Sequence, residues 1–426
     1  MVDSANFTNI RALLGALAEA MNLINADVEH HHEQTAYLAY LIAREMGLPE
    51  DMAYLCVYAA LLHDVGSILV DEPQSVEEIA REERHIAQVG AAMLRDLPEF
   101  SRVADVIENC QCPWQVAHAC AGSMTAAQRE LLRCSGVIYL ADQVSIRLDP
   151  RLPVLTQAQE LRKRMEAGRG ARFCPDASDA FLRISRMEFI WLDVAYNLKF
   201  LMFFTGDIQP VSLERTVVLT QLMSRLIDFR SPFTAMHSAG VAASARALAG
   251  FAGMSREECM MMEIAGNLHD IGKLKVQRSI LEKPAHLNVE EYDVIREHPY
   301  YTRLILMNVD GFEDIANWAG YHHEKLNGSG YPFHFAADAL DTGARILAIA
   351  DIFSAITEDR PYRDGMKREA AMAVLRKQVE TGGLDDGLVE LLADHYEEID
   401  HARDEASHTV GKRYFASRGL TENVNR

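Results

Sequence analysis

NLHDIGKL, residues 267–274, has a near-copy earlier in the chain, LLHDVGSI at residues 61–68. Their His-Asp pairs, His269-Asp270 and His63-Asp64, lie 269 − 63 = 206 positions apart. A histidine stands 32 residues before each pair, His237 before His269 and His31 before His63, so the offset is again 206. Further on, ILAIADIFSA with Asp351 resembles VIYLADQVSI with Asp142, at 351 − 142 = 209. Three markers in one order at a nearly constant offset argue for an internal duplication. The sequence around them is dominated by Ala, Leu, Met, Glu and Arg, with apolar residues at three- and four-residue spacing. Leu213, Val217, Thr220, Met223, Leu226 and Ile227, for example, share one side of a helix. No alternating Val, Ile or Thr run with hairpin turns predicts a sizeable sheet. The expectation is an all-α protein of two tandem, related domains.

A chain of 426 residues is long enough for two or three domains. With 49% hydrophobic and 24% charged residues it can bury a full core. The domains are expected at residues 1–205 and 206–426, meeting near Thr205 to Gln209, where Gly206 and Pro210 break a helix. Leu152 to Ala177 reads as an irregular connection. Arg183 to Phe204 reads as one apolar helix packing the halves together, and the polar tail from Asp400 as partly ordered. The formal charge of −20 disfavours duplex nucleic acid and anionic membranes as general partners. An anionic substrate then needs a site with its own positive charge. MVDSANFTNI has no signal-peptide pattern, and no stretch reaches the roughly 20 apolar residues of a membrane span. Seven cysteines give no disulfide framework. The expected setting is cytoplasmic and reducing. The long apolar helices leave a homodimer open.

The chemistry lies in the second half, in His237, His269, Asp270, His298, His322, His323 and Asp351. Neutral imidazole and carboxylate bind borderline and hard divalent ions. Seven candidates exceed the needs of one tetrahedral ion. Adjacent helical residues point about 100° apart, so neither adjacent pair chelates a single ion easily. Two metals bridged by Asp270 solve that geometry; such ions lie roughly 3.5–4 Å apart, clamp a phosphoryl group and activate water. Lys273 follows the dyad by three residues, where its ammonium could meet a phosphate. Gly328, Gly330 and Pro332 in YHHEKLNGSGYP form a loop that a ligand can approach closely.

Taken together, the His237 helix, HDIGK, EHP at His298, HHEKLNGSGYP and IADIFSAITEDRPYR resemble an HD-GYP domain, over roughly Leu213 to Glu398. That family belongs to the HD superfamily of metal phosphohydrolases and opens cyclic di-GMP. The resemblance implies that the seven residues above are metal ligands and that Lys273 contacts the scissile phosphate. It further implies that Arg360 and Arg363 hold substrate phosphate. Tyr331 belongs to the signature loop, as a substrate contact or as loop structure. Where some members have a third-metal Glu, four residues before the first histidine, this chain has Phe233. Two ions are therefore expected, with iron or manganese favoured and zinc or nickel able to substitute.

The first half keeps His31, His63, Asp64, Asp142 and Gly66, but has Ser67 for Lys273, no HH pair and no GYP loop. His85 stands near the third histidine's place at a shorter spacing, 85 − 63 = 22 against 298 − 269 = 29. This half resembles an eroded HD domain. A regulatory or packing domain without metal, a one-metal site, and an independent enzyme are its three readings. Cys110 and Cys112 read as buried thiols in preference to a zinc or redox site.

The reading of the whole is a metal-dependent cyclic-dinucleotide phosphodiesterase, yielding pGpG and further GMP from cyclic di-GMP as the resemblance implies. Cyclic GMP-AMP is the neighbouring substrate. A non-catalytic nucleotide-binding scaffold and a nucleotide phosphomonoesterase are the alternatives.

Overall fold

The computed structural model describes residues 7–24, 30–69, 76–95, 100–196, 210–228, 236–283, 285–359 and 364–424. The described chain is almost wholly helical. Its one two-stranded sheet pairs Thr8–Asn9 with Pro210–Val211, Thr8 opposite Val211 and Asn9 opposite Pro210. The chain falls into two compact units, residues 17–208 and residues 209–426, and the second takes in the chain's first 16 residues.

Helix starts follow the local sequence. Ser255 and Glu258 close a reciprocal capping box at the head of the Arg256–Leu268 helix. Asn288 with Glu291, and Thr125 with Gln128, do the same for Val289–Arg296 and Ala126–Ser145. Each box satisfies two backbone donors that a helix start otherwise leaves open. In the second unit the His237–Phe251 helix is central. It packs against Arg256–Leu268, Thr342–Thr357 and Tyr396–Val424. Its buried face is small-residued, with Gly240, Ala242, Ser244, Ala245 and Ala249. A Cβ on Gly266 would lie 2.5 Å from the Ala242 Cα. Only glycine lets these two helices cross at that distance, which brings His237 and His269 together.

The first unit repeats the plan. His31–Glu45 packs on Glu50–Leu62 and on Ala126–Ser145, as His237–Phe251 packs on Arg256–Leu268 and Thr342–Thr357. In both units a 3₁₀ turn follows the His-Asp pair, Val65–Leu69 and Ile271–Lys275. In both, a glycine of that turn lies against the backbone of a later helix. A Cβ on Gly66 would meet the Ile86 carbonyl oxygen at 2.1 Å, and one on Gly272 the His298 carbonyl oxygen at 2.1 Å.

Three segments differ from the sequence expectation. Val154–Ala167 is a regular helix, burying Val154, Leu161 and Met165 along one stripe. The anticipated helix from Arg183 is broken. Pro175–Ile184 ends, and Glu188–Tyr196 begins after a turn in which Ser185 accepts from Trp191 Nε1 through its carbonyl (2.8 Å) and from Arg162 through its hydroxyl (3.1 Å). The remainder of that stretch, residues 197–204, lies outside the described residues. The tail is helical from Tyr396 to Val424. Against the expected limits of 1–205 and 206–426, the start of the chain sides with the second unit. There the strand pair and the Phe7–Phe312 ring contact (5.8 Å) hold it.

The Gly272 contact yields a stability test. In Gly272→Ala, backbone must shift away from His298, which is expected to cost about 1–3 kcal/mol. Gly15→Ala, in a helix with nothing within 4 Å of the added carbon, is expected to be neutral or slightly stabilising. Thermal unfolding of both variants checks the contrast.

Candidate metal centre

The last carbonyls of a helix have no partner inside it. In the second unit, a histidine just past each of three helix ends takes one of them. His269 Nδ1 faces the Gly266 carbonyl at 2.8 Å, at the end of Arg256–Leu268. His298 Nδ1 faces Ile295 at 2.6 Å, beyond Val289–Arg296. His322 Nδ1 faces Ala319 at 2.5 Å, beyond Glu313–Gly320. A carbonyl only accepts, so Nδ1 carries a proton in all three, and Nε2 is the ring nitrogen left to face the interior.

Those Nε2 atoms converge. His298 Nε2 and His322 Nε2 are 3.3 Å apart. His269 Nε2 is buried without a hydrogen-bond partner, 3.3 Å from Asp270 Oδ2. Asp270 Oδ1 lies 3.3 Å from His298 Nε2, so its two oxygens face two different histidines. On the other side, Asp351 Oδ1 stands 3.1 Å from His237 Nε2 and 3.9 Å from His269 Nε2, and Asp351 Oδ2 is 3.8 Å from His323 Nδ1. All seven residues singled out in the sequence thus lie in one cluster, buried but for the half-buried His323. Ligand atoms of His237, His269 and Asp351, of His269, Asp270 and His322, and of His298, His322 and His323 form groups within 4.8 Å.

The electrostatics fit cations. Burial holds His322 well below its ordinary pKa, helped by repulsion from His323, His269 and His298. Burial also lowers His298 and takes His323 down to about 3. These imidazoles are therefore neutral at pH 7, and two acceptor nitrogens face each other with no proton between them. Burial would raise both carboxyls, but His269 and Lys273 hold Asp270, and His237 holds Asp351, well below the carboxylate range. His237 is the exception among the histidines. Burial is outweighed by Asp351 and Glu358, which push it up to about 10. Imidazoles and ionised carboxylates sharing a largely buried pocket form the donor set a divalent ion requires. The two clusters can hold a pair, one at His237, His269 and Asp351 and one at His298, His322 and His323, with Asp270 between them.

Other expected residues stand as follows. Lys273 Nζ is 2.5 Å from Asp270 Oδ2. Tyr331 is half-buried against His323, with ring centroids 4.9 Å apart. Arg360, Arg363 and Phe233 lie outside the described residues. Two carboxylates were not anticipated. Buried Glu324 accepts backbone N–H bonds from Phe333 (2.7 Å), His334 (3.2 Å) and Phe335 (3.1 Å), tying down the chain just after Gly330-Tyr331-Pro332. Glu358 Oε2 stands 3.6 Å from His237 Nδ1, behind the cluster. Both are the acidic neighbours of conspicuous motifs, HHE and EDRPYR, and that adjacency was their only signal.

Comparison with known proteins bears on this geometry. The HD-domain family matches residues 28–146 and, separately, 221–388. The 3'3'-cGAMP-specific phosphodiesterase 1 of Vibrio cholerae is 31% identical over 401 residues, covering 90% of this chain and 91% of that one. The chain belongs to the HD-GYP phosphodiesterase family. The response regulator RpfG of Xanthomonas campestris, a cyclic di-GMP phosphodiesterase, is 35% identical over 158 residues, 37% of this chain and 42% of that one. A crystal structure of V-cGAP3, a cyclic GMP-AMP specific phosphodiesterase of V. cholerae, superposes with a TM-score of 0.62 at 21% identity, over 92% of this chain and 98% of that one. That likeness shows the fold.

The second unit thus gathers all seven of these histidines and aspartates, and the first unit gathers a smaller set of the same kind. His31 Nε2 is 3.4 Å from His63 Nε2 and 3.2 Å from Asp142 Oδ1, and His63 Nε2 is 3.2 Å from Asp64 Oδ2. His63 Nδ1 again takes a helix-end carbonyl, Ala60, at 2.7 Å. The remaining positions are replaced. The contacts of Gly66 and Gly272 equate Ile86 with His298, an offset of 298 − 86 = 212. The same offset equates Cys110 with His322 and Gln111 with His323. Gln111 Nε2 donates to Asp142 Oδ2 at 3.4 Å, on the side where His323 faces Asp351. His85 is therefore one residue out of register with the third histidine. Burial, with Asp64 and Asp142 nearby, raises the Cys110 thiol well above its ordinary value. That thiol stays protonated and is a poor substitute for imidazole.

The centre makes metal-free protein acid-sensitive. His323 has a folded pKa of about 3 against 6.5 in the unfolded chain, so between those values the unfolded state binds more protons and stability falls as pH falls. Asp270 and Asp351 add to the loss at the acid end. His237 acts oppositely, giving stability that is present below pH 6.5 and lost toward pH 10. In chelator, the unfolding temperature is expected to drop from pH 6.5 toward pH 4. A flat profile there contradicts the assignment.

Proposed function

We propose that the second unit hydrolyses one phosphodiester bond of a 3'3'-cyclic dinucleotide, with the mixed GMP-AMP ring as preferred substrate and a linear dinucleotide as product. The convergence of neutral Nε2 lone pairs around a two-faced Asp270 carries the reading. It supports a paired-ion site of the kind that handles phosphoryl groups. Cyclic GMP-AMP moves ahead of cyclic di-GMP because the relative matching 90% of the chain is named for the mixed ring. Cyclic di-GMP is the second reading. Relatives named for it, from X. campestris and Pseudomonas aeruginosa, are each 35% identical over 37% and 35% of this chain.

Each side chain has a task in this proposal. His237, His269, Asp270, His298, His322, His323 and Asp351 hold two divalent ions, of iron or manganese by preference, which when bound supply charge neutralisation and an activated water. Lys273, reaching across Asp270 from its 3₁₀ turn, places positive charge where the phosphorane gains negative charge. Glu324 holds the loop that sets Tyr331 against His323. Arg360 and Arg363 supply the planar forks for the remaining phosphate. A scaffold that only binds nucleotide has no use for so complete a donor set.

Metal-loaded protein incubated with each ring, followed by separation of products, tests the proposal; cleavage of neither rejects it. Asp270→Ala is expected to lose bound metal by elemental analysis and more than about 100-fold in turnover. Lys273→Ala is expected to keep its metal while kcat falls by about 10²–10³.

A further inference from the structure

Next to the metal centre lies a cavity of about 460 Å³, lined chiefly by Lys275, Arg296, Glu297, Tyr300, Tyr301 and Tyr331. That volume suits a nucleotide-sized ligand. It adjoins the chemistry, because Tyr331 forms one wall and its ring lies tilted beside that of His323, centroids 4.9 Å apart. Arg296 is two residues from His298 in the chain. The two cations of the cavity are not equivalent. Lys275 is consumed internally: its ammonium is 2.9 Å from Glu297 Oε2, also bonds the Tyr301 hydroxyl, and sits 3.9 Å over the Tyr301 ring. Arg296 has a looser partner, Asp293 at 3.4 Å, which is itself exposed. Its guanidinium lies 5.1 Å over the Tyr331 ring and 6.0 Å from that of Tyr292. The cavity therefore offers aromatic walls and one planar, charged fork held in place by a ring.

Such a combination suits a flat heterocycle with two adjacent acceptors on one edge. Guanine has that edge in O6 and N7, and a guanidinium pairs with both at once. Adenine presents an amino donor beside N7, which would meet the fork donor to donor. We infer that this cavity seats a guanine base of the substrate, with Arg296 reading its O6/N7 edge and the Tyr331 wall stacking on it. The inference rests on the phosphodiesterase reading of the neighbouring centre and adds the base that orients the ring. A mixed GMP-AMP ring has two inequivalent phosphodiester bonds, and seating its guanine here selects which one faces the metal ligands.

Equilibrium binding of mononucleotides to the metal-loaded full chain tests this without turnover. Wild type is expected to bind GMP about 5- to 100-fold more tightly than AMP, with 7-deaza-GMP, which lacks N7, in between. In Arg296→Ala, GMP should fall to the AMP level while AMP is unchanged, which also shows that the variant is folded. Arg296→Lys should recover only part of the preference, having lost the fork. Equal binding of GMP and AMP by wild type, or an undiminished preference in Arg296→Ala, overturns the inference. Cleavage of the cyclic rings is scored separately, so guanine binding through Arg296 without cleavage would count against the phosphodiesterase reading alone.

Discussion

Everything at the centre depends on what the end of a helix does to an imidazole. A helix terminates with carbonyls that no later N–H can reach. Placing a histidine just beyond lets its Nδ1–H take one of them, which satisfies the carbonyl and fixes both the ring and its tautomer. His63, His269, His298 and His322 all do this, on four different helices. The lone pair left on Nε2 has no partner on its own element. Where three such ends meet, the lone pairs meet as well, and the fold creates a local demand for positive charge. The outer contacts that orient metal ligands in other proteins are here the ordinary requirements of helix termination.

The duplication shows which parts of that arrangement are structural. Both units keep the glycine that admits the backbone of a later helix against the His-Asp turn, Gly66 and Gly272. Both keep the first two histidines and the distant aspartate. What the first unit has exchanged is confined to the opposite side, Ile86, Cys110 and Gln111 for His298, His322 and His323. Each replacement is uncharged and can be buried or hydrogen-bonded locally. Gln111 even retains the contact with the aspartate that its histidine counterpart makes. Such exchanges fall on one side of the cluster, and the shared helix packing of His31–Glu45 on Glu50–Leu62 and Ala126–Ser145 remains.

The fold and the clustering of the seven histidines and aspartates were legible because both are written as short, repeated patterns at fixed spacing. The 206-residue offset of His31, His63, His237 and His269 alone announces two like domains. It failed where spacing is broken by length changes. In the second unit Val289–Arg296 and His298–Leu306 are separate helices, whereas the first unit has one helix, Val76–Arg95. Counting along the chain then points to His85, and only the backbone contact of Gly66 reveals Ile86. Val154, Leu161 and Met165 do carry a helical period, diluted by Arg, Lys and Glu on the exposed face. Glu324 could not be read as a loop organiser, since its three partners are backbone N–H groups, which leave no trace in sequence.

The acidity of the chain and the nature of its ligand are reconciled by this same geometry. A formal charge of −20 repels a phosphodiester at long range. Without ions the centre does nothing to reverse that, because its histidines are mostly neutral and Lys273 is spent on Asp270. Two divalent ions held by two carboxylates and otherwise neutral donors would leave a surplus of positive charge, concentrated where burial screens it least. The surplus would also loosen Lys273 from a carboxylate that the ions now share, freeing its ammonium for the incoming phosphate. On these grounds metal loading would do more than supply the reactive water. It would turn an acidic cleft into an anion site, and the attraction that the composition denies to the surface as a whole would be confined to that cleft.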